Sequence, residues 1–367
     1  MRFPESVLRK RLKKFQGKIA ARNLDGVMLR TLSSYAYFTG IKWLRPALFI
    51  PSDGDPVAFI VKGEEQEFTS RTWIKNIIAF VDGGDLMRKV VSTLRENKVK
   101  RIGMEFGIEK DAYIFFYEMF KKLNPHVEVI DIGPIIAEMR MIKDNYELSA
   151  MREAGKRASR ALEEVMSLIK PGISETEIVA EIYSRLYKWG SEDPHVYVNA
   201  GPNVRIHCQP YRDSILRKGT FLTIIIGADY NNYYANMSRT IFVGENIPET
   251  ARKVLRCVEE AYDTAIKLTK PGNKFIDVIK TLDKIYEKYS LLDKRVIGYA
   301  HGVGLQVEEP PITTIVVAHR YMEVKERMVL AMIHSPIVYE GFGQIKKEDT
   351  FIVKEDGSLE PVTFLEE

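Results

Sequence analysis

Along the first 135 residues, short unbroken apolar runs alternate with stretches whose apolar positions recur at helical spacing. The runs are GVML (Gly26 to Leu29), ALFIP (Ala47 to Pro51), PVAFIV (Pro56 to Val61), RIGME (Arg101 to Glu105) and VEVIDI (Val127 to Ile132). Runs of this length predict buried strands, and helices are predicted through Ala21, over Leu86 to Asn97 and over Tyr113 to Leu123. Such alternation predicts an α/β half built on a mostly parallel or mixed sheet. From Ile135 to Asp144 the pattern becomes a connector, and Asp144 with Glu147 three residues on forms a capping box that opens a long helix to about Ile169. The domain boundary is placed there, giving residues 1–137 and 138–367.

The second half repeats itself at an offset of one hundred residues. A helix stops at Lys170-Pro171-Gly172 and the next begins at Ser174, whose partner Glu177 completes a second capping box. The same grammar returns at Lys270-Pro271-Gly272, ahead of a helix over Phe275 to Lys288. Strand runs follow each unit: VYVNAG, FLTIIIGADY and SRTIFVG after the first, VLAMI and DTFIVKEDG after the second. Two helix, helix, sheet units around one core predict a pseudo-two-fold α+β domain, the alternative being that Pro-Gly merely stops a helix twice.

Composition adds bounds rather than a function. At 367 residues one core no longer suffices, so two domains are expected, and 45% hydrophobic with 28% charged residues is an ordinary globular composition. Two cysteines, Cys208 and Cys257, build neither a disulfide framework nor a cysteine metal cluster, which fits a reducing compartment. The net charge of +4 is too weak to imply a nucleic-acid partner, and Arg9, Lys10, Arg11, Lys13 and Lys14 are read as a solvated helix face. No run reaches the roughly 18 apolar residues of a membrane span, and no signal peptide is evident, so a cytoplasmic location and no membrane partner are expected.

Several segments resemble the creatinase, prolidase and methionine aminopeptidase superfamily. SSYAYFTGI (Ser33 to Ile41) and EMRMIKDNYELSAMREA (Glu138 to Ala154) are similar to blocks of the prolidase-type N-terminal half and its connector. GADYNNYYANMSRTIFVG (Gly227 to Gly244), HGVGLQVEEPP (His301 to Pro311) and EDTFIVKEDG (Glu348 to Gly357) resemble the C-terminal blocks in order and spacing. The resemblance implies a "pita-bread" α+β domain preceded by a creatinase/prolidase-type α/β domain. It also implies a homodimer and, in relatives, two Co, Mn or Zn ions held by two Asp, one His and two Glu.

Carried over position by position, that ligand set is largely missing. The first Asp falls on Ile225, whose alkyl chain cannot bind metal, and the second on Asn236, whose carbonyl is a weak neutral ligand. The His is kept as His301 and the last Glu as Glu348; the other Glu falls on Ile333, or on His334 if a gap is placed earlier. Two divalent ions about 3.5 Å apart repel by roughly 19 kcal/mol at an effective dielectric of 20, which a single carboxylate cannot offset. No metal cofactor is therefore expected.

The surrounding positions also depart from the pattern. Glu308 stands where the family carries a second His, while Glu309 and Pro310 match. A further His corresponds to His207 or, one residue out of register, to Cys208. Arg239 is expected to meet a carboxylate inside the fold, and Lys346, where an Arg often stands, shares a strand face with Glu348 by the two-residue period and could pair with it. Three functions follow from the resemblance. The first is a catalytically silent relative that binds a peptide or another small ligand. The second is a metal-free, creatinase-like C–N hydrolase using His207, His301 and Glu348 as acid and base. The third is an Xaa-Pro dipeptidase with an atypical metal site.

Overall fold

The protein is described from a computed structural model, which covers residues 3–107, 109, 113–203, 205–206 and 209–365. The chain divides into two compact units, Met1–Met139 and Arg140–Glu367.

In the first unit the elements run α1 (Glu5–Ala20), β1 (Gly26–Leu29), α2 (Leu32–Thr39), β2 (Leu48–Pro51), β3 (Val57–Val61), α3 (Glu65–Arg71), β4 (Asn76–Phe80), α4 (Gly83–Glu96), β5 (Arg101–Met104), α5 (Tyr113–Leu123), β6 (Glu128–Asp131) and α6 (Gly133–Met141). The strands form one mixed sheet in the order β4-β3-β2-β1-β5-β6. Strand β1 runs parallel to β5, β5 to β6 and β3 to β4, whereas β1–β2 and β2–β3 are antiparallel. All five apolar runs of the sequence are strands; β4 was not anticipated, because NIIAF pairs only along one edge and its centre is only partly buried. The basic run on α1 is not wholly solvated: Arg11 is buried, its guanidinium 5.1 Å from the Phe3 ring and 4.5 Å from the Tyr37 ring. Its apolar stem and flat cation pack as readily as they hydrate.

The second unit continues with α7 (Asn145–Met166), α8 (Glu175–Lys188), β7 (His195–Ala200), β8 (Phe221–Tyr230), β9 (Tyr233–Phe242), α9 (Glu249–Leu268), α10 (Phe275–Lys288), β10 (Ala300–Gly302), β11 (Glu309–Ile312), β12 (Val329–Met332), β13 (Ile337–Tyr339), β14 (Gly343–Ile345), β15 (Asp349–Val353) and β16 (Leu359–Pro361). Both predicted capping boxes are formed: Asp144 with Glu147 opens α7, and Ser174 with Glu177 opens α8.

The repeat is structural. Gly172 N–H donates to Leu216 O, and one hundred residues later Gly272 N–H donates to Val324 O. Both glycines sit at positive φ, +95° and +88°, where a side chain would be strained. An isolated bridge joins Ser174 to Ile215, and its counterpart joins Lys274 to Glu323. Each helix pair packs on its own strands: α7 and α8 with Ile224 and Ile226 of β8, and α9 and α10 with Leu330 and Met332 of β12. Strands β7-β8-β9 form one sheet and β11-β10-β12-β15-β16 another. Because helices cover one face of each sheet, the opposite face is left to carry chemistry.

Candidate functional site

The strands β8 and β9 are joined by Asn231 and Asn232, both at positive φ (50° and 73°), the two-residue turn that matches strand twist. That turn fixes the register, pairing Ile225 with Ser238 and Gly227 with Asn236. Opposed residues in an antiparallel pair share a face, so these four lie on the side away from Ile224 and Ile226. Ile225 is buried there but belongs to neither helix-packed core.

Asn236 spends its amide on the fold. Its Nδ2 donates to Val307 O at 2.7 Å, and its backbone N–H donates to Thr350 Oγ1 at 2.8 Å. Its Oδ1 and the Ser238 Oγ are buried without a hydrogen-bond partner among the described residues. Glu348 reaches the same face through the isolated bridge to Ser238, with Ser238 N–H donating to Glu348 O at 2.9 Å.

At the centre stand four side chains. Lys346 Nζ lies 2.7 Å from Glu348 Oε2, and it also donates to His334 O at 2.9 Å. Burial, the largest single effect, would push the Glu348 carboxyl up; the Lys346 ammonium, His301 and His334 together outweigh it and hold the carboxyl well below the usual carboxylate range. His301 Nδ1 donates to the carbonyl of Gly302 at 2.9 Å, since a carbonyl can only accept. In the neutral ring the lone pair is then on Nε2, which faces Glu348 Oε1 at 3.8 Å. The ring of His334 stands edge-on to His301, centroids 4.5 Å apart at 89°.

The backbone sends Ile333 and His334 to different surroundings. By strand alternation Ile333 would share a face with Ala331, but it adopts φ 57°, a left-handed conformation that costs a β-branched residue roughly 1–2 kcal/mol. Its side chain stays in the α9–α10 core with Met332, and His334 is the residue set beside His301.

The other sequence-derived residues are distributed differently. Arg239 finds its expected carboxylate in Asp349, at 2.9 Å, and also donates to Glu348 O at 3.0 Å. Tyr262 and Thr363 donate to the same Asp349 carboxylate. Glu309, expected in the pocket, is instead spent in a buried ion triad. Arg140 Nη2 and Lys143 Nζ donate to its two oxygens, the latter at 2.9 Å, so it offers no free carboxylate to a ligand. Glu308 is half-buried, with Oε1 meeting no hydrogen-bond partner among the described residues. His207 and its alternative Cys208 lie outside the described residues. Sequence reasoning missed Arg140 and Lys143, although both sit in the connector block already singled out. Their three-residue spacing at a helix end was the available signal.

The glycines of HGVGL answer to this crowding. A Cβ on Gly302 would overlap the Pro310 and Glu309 carbonyls, and one on Gly304 would overlap the Glu309 carboxylate.

Residues 149–355 match the model of metallopeptidase family M24, and residues 11–142 match the creatinase/prolidase N-terminal domain. The chain belongs to family M24. The Xaa-Pro dipeptidase of Pyrococcus furiosus is 25% identical over 355 residues, covering 96% of this chain and 97% of the relative. The ectoine hydrolase of Halomonas elongata is 24% identical over 332 residues, covering 82% and 81%. The prolidase of Pyrococcus horikoshii OT3 superposes with a TM-score of 0.85 at 22% identity, covering 97% of this chain and 99% of that one. The fold is thus the two-domain prolidase-like one, a creatinase-type N-terminal domain followed by a pita-bread domain.

Against the family's metal centre, the donor set is the decisive observation. Among the described residues, the face holds one carboxylate, paired with an ammonium, two imidazoles, one amide and one alkyl chain. Among the described residues, no three His, Cys, Asp or Glu side chains converge as a metal site. These residues do not fit a two-ion centre. Nor is any helix of the described residues long and apolar enough to cross a membrane.

Proposed function

We propose that this family member is a catalytically silent homologue of Xaa-Pro dipeptidases that uses the polar face of its pita-bread domain to bind a peptide or another small amide-bearing ligand. The observation that carries the reading is the buried Lys346–Glu348 pair at 2.7 Å, which occupies the last family carboxylate with a tethered cation. The unpaired Ser238 Oγ and Asn236 Oδ1, together with the facing His301 Nε2 and Glu348 Oε1, supply convergent polar atoms for a ligand's N–H and C=O groups. No metal is needed in this reading, and the chain acts as a cytoplasmic homodimer.

A second reading is favoured by one distance. His301 Nε2 and Glu348 Oε1, 3.8 Å apart, could share a water or a substrate N–H as a general base pair, which is what a metal-free C–N hydrolase requires.

The test is an Xaa-Pro dipeptide assay on the purified chain, run with chelator and with excess Mn²⁺, Co²⁺ or Zn²⁺. No turnover above a blank in any condition is expected. Metal-dependent cleavage lost in His301→Ala would overturn the silent reading in favour of an atypical dipeptidase, and chelator-resistant cleavage lost in the same variant would favour the second reading.

A further inference from the structure

In the first unit, β1 and β5 lie side by side and parallel, with Val27 opposite Gly103. The connection leaving β1 leads through α2 to β2 on one side of the pair, and the connection leaving β5 leads through α5 to β6 on the other. Connections that diverge in this way mark the place, beyond the carboxyl ends of the strands, where open α/β sheets bind their ligands. The residue that follows β1 is Arg30 and the one that follows β5 is Glu105.

These two residues are treated very differently. The Glu105 carboxylate receives the hydroxyls of Thr31 and Ser34, the latter at 2.8 Å, and Tyr113 donates to its backbone carbonyl. Arg30 lies with its guanidinium 4.4 Å above the ring of Phe116, which α5 supplies. Its Nε and Nη1 are buried and meet no hydrogen-bond acceptor among the described residues. Burial lowers its pKa to about 10, with the neighbouring Tyr113 acting weakly the other way. A buried charged donor without an acceptor is costly, and a stacked guanidinium presents a planar fork matched to a carboxylate or phosphate.

We infer that the place beyond the carboxyl ends of β1 and β5 is an oxyanion-binding site in the N-terminal domain, with Arg30 as the fork and Phe116 as its platform. The site is separate from the His301–Glu348 face and does not depend on what that face does. The ligand class is a small molecule or peptide end carrying a carboxylate or a phosphate, shared chemistry that the probes below separate.

The full-length chain is titrated with sodium phosphate and, separately, with sodium acetate, at constant ionic strength held with sodium chloride. The readouts are melting temperature and calorimetric stoichiometry. One oxyanion is expected to raise the melting temperature saturably by a few degrees, about what a ligand well above its Kd provides for a chain of this size. It should bind one per chain, with no effect of it in Arg30→Gln. A response to phosphate alone assigns a phosphate, and one to acetate assigns a carboxylate. Arg30→Lys keeps the charge without the planar fork and covers the case in which Arg30→Gln does not fold; it is expected to weaken binding at least about tenfold. Equal shifts in the parent and in Arg30→Lys, or no saturable shift with either anion, would overturn the assignment.

Discussion

Lys346 Nζ and Glu348 Oε2 stand 2.7 Å apart in the short segment between β14 and β15, both side chains almost wholly buried. The segment is held beside β9, where Lys346 N–H donates to Thr240 Oγ1 and Glu348 N–H to Ser238 O, and the carboxylate that a relative would turn toward cations faces an ammonium carried by the chain itself.

Breaking that pair from one side should be far worse than removing it. Lys346→Met leaves Glu348 buried and uncompensated, and should destabilise by about 3–5 kcal/mol. Adding Glu348→Gln to Lys346→Met should recover much of the loss. Denaturant unfolding of both singles and the double variant measures the coupling, and additive effects would show that the pair contributes nothing as a unit.

The Glu309 triad predicts a pH dependence. Burial pushes the Glu309 carboxyl up, but Arg140 and then Lys143 outweigh burial and hold it below its ordinary value of 4.5. A carboxyl with a lowered folded pKa contributes stability that is full above the unfolded value and is lost as pH falls toward the folded one. Glu309→Gln should therefore cost about 3–5 kcal/mol near pH 7, because it strands two buried cations. The gap between parent and variant should narrow as the pH drops below about 4.5. Urea midpoints at pH 7, 5 and 3.5 check it, and a gap that widens in acid would reverse the assignment.

Rebuilding the family's carboxylates tests which positions face the site. Ile225→Asp, Asn236→Asp and His334→Glu together gather like charge, and without metal the variant should be less stable, since each unpaired buried ion costs several kcal/mol. With Mn²⁺ or Co²⁺ the loss should be recovered by about 2.7 kcal/mol at a hundred-fold excess over Kd. The same set with Ile333→Glu in place of His334→Glu puts a carboxylate into the α9–α10 core and should melt lower whether or not metal is present. Melting curves with chelator and with metal separate the two.

Gly155 on α7 faces the backbone of Val362, where a Cβ would overlap the carbonyl oxygen. Gly155→Ala should lose about 1–3 kcal/mol to overpacking despite the better helix propensity of alanine. Gly17→Ala on α1 meets nothing within 4 Å and should instead gain about 0.5–1 kcal/mol. Thermal melts of the two variants should move in opposite directions.

Much of this molecule follows from local pattern. Capping boxes at Asp144 and Ser174, the Pro-Gly stops one hundred residues apart, and the burial of GVML and RIGME depend on residues a few positions apart, so the sequence by itself determined them. The tertiary structure decided what depends on irregular backbone or distant partners. A left-handed Ile333 overrides the two-residue period and hands the site to His334. Glu309 is paired with Arg140 and Lys143, which lie 169 and 166 positions away. Arg30, an unremarkable residue after an apolar run, acquires meaning only when β5 is placed beside β1. Periodicity is a property of neighbours in the chain, whereas the partner of a buried charge is chosen by packing, which no local spacing records.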